Sequence, residues 1–232
     1  MSELERIRAE YARRAQDARY TEWYADANAA NRFIEQERDA AIRSALREFP
    51  NILNRGARIL DIGCGAGHEL VKWQLLVAEA RLCGIDLLEA RLNNGRQRYP
   101  YLPLLWGDAS ALPLRDETFD VVMQFTVFSS ILDGSLRQSV AREMKRVLKP
   151  GGIVLWYDYW LNPTNAQTVG MTLRQVRKLF PEFGMRVRRV TLAPPLARFL
   201  APRSMKLCAW LNKIPLVRSH YLIVLSRETV KT

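Results

Sequence analysis

Apolar positions along this chain follow two spacings. Residues 3–19 and 32–48 mix charged and apolar side chains at helical intervals and predict two helices. From residue 57 onward, short β-branched apolar runs alternate with longer helical stretches. Strands are predicted at 57–62, 81–86, about 103–106, 119–125, 153–158, 185–192 and 220–227, with helices at about 67–79, 88–98, 134–147 and 172–180. Pro100 closes the second of these helices. Thr172 caps the last and Pro181 stops it. Residues 160–170, WLNPTNAQTVG, form a polar loop with turn chemistry. Alternation of strand and helix predicts an α/β fold built on a doubly wound sheet. The expected organisation is an N-terminal helical extension, 1–50, and one α/β domain, 51–232.

One stretch interrupts the alternation. Residues 193–219, APPLARFLAPRSMKLCAWLNKIPLVRS, stand between the last two strands, broken by Pro194, Pro195 and Pro202. Bulky apolar and basic residues are mixed from Ala197 to Leu211. An amphipathic helical insertion follows, packed on the sheet edge, folded over a ligand, or laid on a membrane surface.

The first predicted strand runs into a glycine-rich turn, RILDIGCGAG at 58–67, and a helix begins at about His68. Strand, glycine turn and helix make half of a nucleotide-binding unit. Glycine lets the backbone approach a ligand, and the helix beyond offers free N–H groups and positive partial charge. The spacing G-x-G-x-G differs from the dinucleotide fingerprint G-x-G-x-x-G, which argues against a nicotinamide enzyme.

Charge changes the picture at one end only. The net charge is +11. Residues 1–185 carry 25 Lys/Arg against 23 Asp/Glu, whereas residues 186–232 carry 10 Lys/Arg and only Glu228. The C-terminal region therefore suits an anionic partner: phosphate groups, a membrane surface or nucleic acid. Cys64, Cys83 and Cys208 form no CxxC and no Cys/His cluster, so a reducing compartment and no structural metal are expected. Cys64, inside the glycine turn, reads as a small packing residue. The start, MSELERIRAEYARRA, lacks the apolar stretch of a secretory signal, and no run of 18 apolar residues exists. A cytoplasmic protein is expected, with peripheral membrane contact as one option for the basic end.

Four stretches in order carry a resemblance. DIGCGAG (61–67), GIDLLEARL (84–92), GDASALPL (107–114) and LKPGGIVLWYD (148–158) are similar to the motifs of the class I S-adenosylmethionine (SAM)-dependent methyltransferases. Together they cover roughly residues 57–160. The resemblance implies a Rossmann-like, seven-stranded, mostly parallel sheet in the order 3-2-1-4-5-7-6, its last strand antiparallel. It implies SAM as cofactor and S-adenosylhomocysteine as product.

It also assigns roles. Gly63 and Gly65 would approach the methionyl end and ribose, and Asp61 would support the amino group. Asp86 would accept the ribose hydroxyls, with Leu87 on the adenine face. Asp108 and the Ala109 N–H would meet the adenine edge, and Gln124 with Phe125 would border the methyl group. The N-terminal helices of similar enzymes form a lid, which makes Tyr11, Tyr20, Trp23 and Tyr24 candidates to cover the site.

For chemistry, the segment after the fourth strand reads QFTVFSSILD and lacks the Asn/Asp-Pro-Pro-Tyr motif of enzymes that methylate nucleobase or glutamine nitrogens. A hydroxyl acceptor benefits from a general base. Neither His68 nor His220 stands where similar enzymes place one. Asp158, at the expected end of strand five, is the candidate base, surrounded by Tyr157, Tyr159 and Asn162 as candidate acceptor contacts. The leading expectation is methyl transfer to a small-molecule or sugar hydroxyl, the acceptor in some cases anionic, as in a glycan or natural-product pathway. There is no dedicated nucleic-acid domain. A nucleic-acid methyltransferase gripping phosphates with its basic end, and a non-catalytic SAM-binding protein, stand as alternatives.

Overall fold

In the computed structural model, which describes residues 1–227 apart from 26, 54, 55, 78, 163 and 164, the apolar run Arg58–Ile62 forms strand β1. It pairs in parallel with β2 (Arg81–Asp86) on one side and β4 (Phe119–Phe125) on the other. Outward from β2 lies β3 (Leu104–Trp106), and outward from β4 lies β5 (Leu148–Tyr159). Strand β7 (Arg218–Arg227) then runs antiparallel between β5 and the edge strand β6 (Phe183–Leu192). Among the described residues the order is β3-β2-β1-β4-β5-β7-β6. This is the expected Rossmann-like sheet.

Helices cover both faces, which is why the inner strands read as nearly unbroken apolar runs. Helices α3 (Ala29–Leu46), α4 (His68–Leu76) and α5 (Glu89–Arg98) bury Ile42, Leu70, Trp73 and Leu92 against Ile59, Leu155 and Tyr157. On the opposite face, α6 (Gly134–Val147) and α7 (Leu173–Leu179) bury Met144 and Val176 against Leu60, Val122 and Trp156. Alternation along β5 thus sends Leu155 and Tyr157 to one layer and Val154 and Trp156 to the other.

Three elements depart from expectation. The helix predicted over 3–19 is two, α1 (Glu3–Gln16) and α2 (Ala18–Trp23). Asp17 separates them because its carboxylate accepts the Arg19 N–H and starts a new helix instead of continuing the old one. Strand β5 begins at Leu148, not 153, since Leu148 pairs with Phe119 and a register shift absorbs the Pro150-Gly151-Gly152 turn. The insertion is two short helices, α8 (Pro194–Leu200) and α9 (Met205–Leu211), on either side of Pro202. Ala197, Ala201 and Cys208 bury its inner side against Ala30 and Phe33 of α3. Pro163 and Thr164 of the predicted loop lie outside the described residues.

Candidate active site

The C-terminal ends of the parallel strands, where open α/β sheets bind ligands, open into a cavity of about 1400 Å³. Pockets for one drug-sized ligand run to roughly 300–1,000 Å³, so this cavity has room for two molecules. Of the residues singled out in the sequence, Gly63, Asp86, Leu87, Asp108 and Ala109 line one part of it. Trp23, Tyr157, Tyr159 and Asn162 line another. Asp61, Gly65, Gln124 and Asp158 are not at its wall.

The first part is built by the turn after β1. Gly63 and Gly65 have φ of 72° and 55°, in the left-handed region that side chains with a Cβ disfavour. At Gly63 a Cβ would also lie 2.5 Å from Val127 Cγ2. Gly63→Ala should therefore cost about 1–3 kcal/mol of stability through strain and overpacking. Denaturant titration checks this. Asp86 anchors the turn from the next strand: one carboxylate oxygen accepts the Gly65 N–H at 2.7 Å, the other the Leu88 N–H at 2.8 Å. Asp108 folds its own turn, accepting from the Ser110 N–H at 2.8 Å and the Ser110 hydroxyl at 2.7 Å. Trp106 Nε1 donates to the Leu87 carbonyl at 3.2 Å.

Behind this wall lies a buried carboxyl. Asp61 is 3 % exposed. Burial, and then the charges of Glu69 and Asp86, push its carboxyl well above the usual range, with Arg38 acting the other way. A cationic ligand group nearby would relieve that. The residues present thus fit SAM: a glycine turn without Cβ atoms, a carboxylate at the end of β2, and an acidic pocket suited to the methionyl ammonium. Gln124 takes a different place from the expected one. It is fully buried, its Oε1 accepts the Val127 N–H at 3.0 Å, and it shapes the turn from beneath instead of bordering the cavity.

Arg38 escaped the sequence reading. Its guanidinium pairs with Glu69 and, at 3.2 Å, with Asp39, and it faces the rings of Phe125 at 5.3 Å and Tyr157 at 5.6 Å. A signal existed. Arg38 shares the i, i+4, i+7 spacing with Ile42 and Ala45, a charge placed on a buried stripe.

The second part of the cavity is roofed by elements from opposite ends of the chain. Arg198 of α8 lies over the Trp23 ring of α2, 4.0 Å from its centroid. Among the described residues no carboxylate pairs with Arg198. His220 stacks on Tyr157 at 4.6 Å and packs on Tyr159 at 3.9 Å, while Tyr157 shares a 2.9 Å hydrogen bond with Thr191. Burial, and then the Arg38 charge, push the His220 imidazole down to about 3. Asn162 donates to the Thr168 hydroxyl at 2.6 Å. Helix α1 closes the cofactor side: Arg6 donates to the Ser130 carbonyl at 2.6 Å, the Tyr11 hydroxyl meets the Ser130 hydroxyl at 3.2 Å, and Arg91 lies over the Tyr11 ring at 5.4 Å.

Asp158 requires a correction. Strand β5 continues through Tyr159, so Tyr157 and Tyr159 share the cavity face and Asp158 takes the opposite one. There it is fully buried and accepts the N–H groups of Ser129 at 3.1 Å and Tyr159 at 2.8 Å. Burial holds its carboxyl at about 6, up from the usual 3.8, against the pull of those hydrogen bonds. It holds the 128–130 turn beneath the cavity and does not face an acceptor.

Sheet order, glycine turn and strand-end acid together define a class I SAM-dependent methyltransferase domain. Residues 60–156 match the family described as methyltransferase domain. Over 129 residues the chain is 36 % identical to phthiotriol/phenolphthiotriol dimycocerosates methyltransferase 1 of Mycobacterium ulcerans, covering 52 % of this chain and 46 % of the relative. Over 128 residues it is 30 % identical to the tRNA N(3)-cytidine methyltransferase METTL2 of Gallus gallus, covering 51 % and 34 %. The chain thus spans less than half the length of either relative. A putative sarcosine dimethylglycine methyltransferase from Galdieria sulphuraria shares the fold at a TM-score of 0.61 and 15 % identity, over 82 % of this chain and 87 % of that one.

Proposed function

We propose that this protein transfers the methyl group of SAM to a small, anionic acceptor whose reacting oxygen ionises readily, such as a phenol, an enol or a carboxylate. SAM, when bound, supplies an electrophilic methyl group on a sulfonium. The chain's part is placement. Asp86 accepts the ribose hydroxyls, Asp108 and the Ala109 N–H take the adenine edge, Asp61 and its acidic surroundings favour the ammonium, and α1 and α2 exclude water. The observation that carries the acceptor reading is Arg198, a cation held over Trp23 at the cavity wall with no carboxylate of the described residues to balance it.

The ionisable acceptor follows from the bases within reach. In the second part of the cavity these are Glu35 and His220 among the described residues. Glu35 is engaged by Lys72 at 3.1 Å, and His220 is a weak base because burial disfavours its cation. With Asp158 on the other face of the sheet, an unactivated alcohol or sugar hydroxyl would have little help in losing its proton. An acidic hydroxyl needs none.

A labelled-SAM assay against a panel of phenols, enols, carboxylic acids and neutral alcohols tests the reading. Turnover is expected with acidic hydroxyls. Arg198→Ala should raise the acceptor KM about 10–100-fold, the scale of a hydrogen bond to a charged group, and leave SAM affinity unchanged. Turnover restricted to neutral alcohols, or an unchanged acceptor KM, would remove the anion from the substrate.

A further inference from the structure

The insertion between β6 and β7 has an outer side that neither the cavity nor the core uses. On α8, Pro194 and Ala197 face inward while Leu196 and Phe199, spaced i, i+3, are exposed; in the turn that follows, Ala201 is buried and Arg203 exposed. Helix α9 buries Cys208 and exposes Met205, Lys206, Leu207 and Trp210, and Lys213 is exposed just beyond it. The following turn exposes Leu216. Phe199 is 61 % exposed, Trp210 59 % and Leu216 81 %. Scattered exposed apolar residues are ordinary. Six large ones between Leu196 and Leu216 are not, and here cations alternate with them. Residues 193–219 contain five Lys/Arg and no Asp/Glu. Among the described residues no carboxylate pairs with Arg203, Lys206 or Lys213.

We infer that the outer side of α8, α9 and the Pro215–Val217 turn docks on an anionic lipid bilayer. Interfacial helices combine apolar side chains that enter the headgroup boundary with Lys and Arg that meet anionic lipid, and Trp is favoured at that depth. Charge complementarity selects this occupant. A second copy of the chain would bring like charges together on the same patch. A nucleic acid would satisfy the cations but leave Leu196, Leu207 and Leu216 against a charged backbone. Among the described residues no helix is long and apolar enough to cross a membrane, so the contact proposed is at the surface. Because α8 also lines the cavity through Pro194, Pro195 and Arg198, docking would bring the acceptor region close to the lipid.

Flotation of the whole protein with vesicles tests this, comparing phosphatidylcholine alone with equal parts phosphatidylcholine and phosphatidylglycerol. Binding to the mixed vesicles is expected, with little to the neutral ones. Trp210 emission, taken as the difference between the parent and Trp210→Phe, should shift to the blue on binding. Replacing Arg203, Lys206 and Lys213 by Gln should weaken binding roughly 100-fold, at roughly fivefold per cation near such a surface. The triple variant Phe199→Ser, Trp210→Ser, Leu216→Ser should abolish it. Leu216→Ser alone, the mildest change to the fold, should give a partial loss in the same direction. The inference is overturned by equal binding to neutral and mixed vesicles, or by none to either. It is equally overturned if anionic binding survives loss of the apolar residues, as a nucleic-acid site would, or if the apolar variant instead dissociates a dimer.

Discussion

Replacing Asp86 with Ala should weaken SAM and S-adenosylhomocysteine binding about 100-fold and lower folding stability by about 2–5 kcal/mol. Two losses combine. The Gly65 and Leu88 N–H groups lose their acceptors, each costing about 1–3 kcal/mol where water cannot replace them. On the proposed function the ribose hydroxyls lose theirs as well, since a carboxylate has lone pairs beyond the two that the backbone uses. Asp86→Asn keeps the shape but turns an NH₂ group toward one of the two backbone donors, and should fall between. Calorimetric titration of both ligands, with denaturant melts alongside, separates the effects. A variant less stable than the parent but equal to it in affinity per folded molecule would leave Asp86 as an anchor of the turn alone.

His220 should make the fold lose stability in acid. Its imidazole is held at about 3 in the folded state, against 6.5 ordinarily. Between those values the folded state binds fewer protons than the unfolded, so the stability is whole above about pH 6.5 and lost toward pH 3. The shift corresponds to about 4–5 kcal/mol. Asp158 works in the opposite sense. Its carboxyl, raised from 3.8 to about 6, makes the folded state bind more protons across that window, which adds about 3 kcal/mol as the pH falls through it. Asp61, also held well above its usual range, acts in the same sense as Asp158, so each contribution is read as the difference between a variant and the parent. Asp158→Asn should steepen the loss between pH 6 and 4, and His220→Gln should flatten the loss at lower pH. Melts across that range decide it: an Asp158→Asn profile parallel to the parent's would mean the carboxyl titrates normally.

The strands were legible because each is a short β-branched run between turn residues, and the glycine turn with its neighbouring acids because each lies within a local motif. Asp61 through Gly67 needs no knowledge of the rest of the chain. What escaped reading was settled by competition or by distance. Asp17 splits the first helix because its side chain competes with the backbone for the Arg19 N–H. Tyr157 and Asp158 are neighbours in one strand and take opposite faces, and which face opens on the cavity depends on the layers packed against the sheet, which no local spacing records. Arg198 over Trp23 joins positions 175 residues apart, and no spacing rule connects them.

The division of the cavity has an evolutionary meaning. The residues proposed for the cofactor, Asp61 to Ala109, fall within the matched stretch 60–156. Trp23, Tyr159, Asn162, Arg198 and His220, which shape the rest, fall outside it. On the proposed function, donor and acceptor recognition thus lie on separate stretches of the chain. Mutation can remodel α2, the 160–168 loop and α8 while the glycine turn and its acids stay as they are. One ancestral methyl-donor cradle can in this way serve relatives named for acceptors as different as dimycocerosates and tRNA cytidine. A change of substrate then requires new walls, not new chemistry.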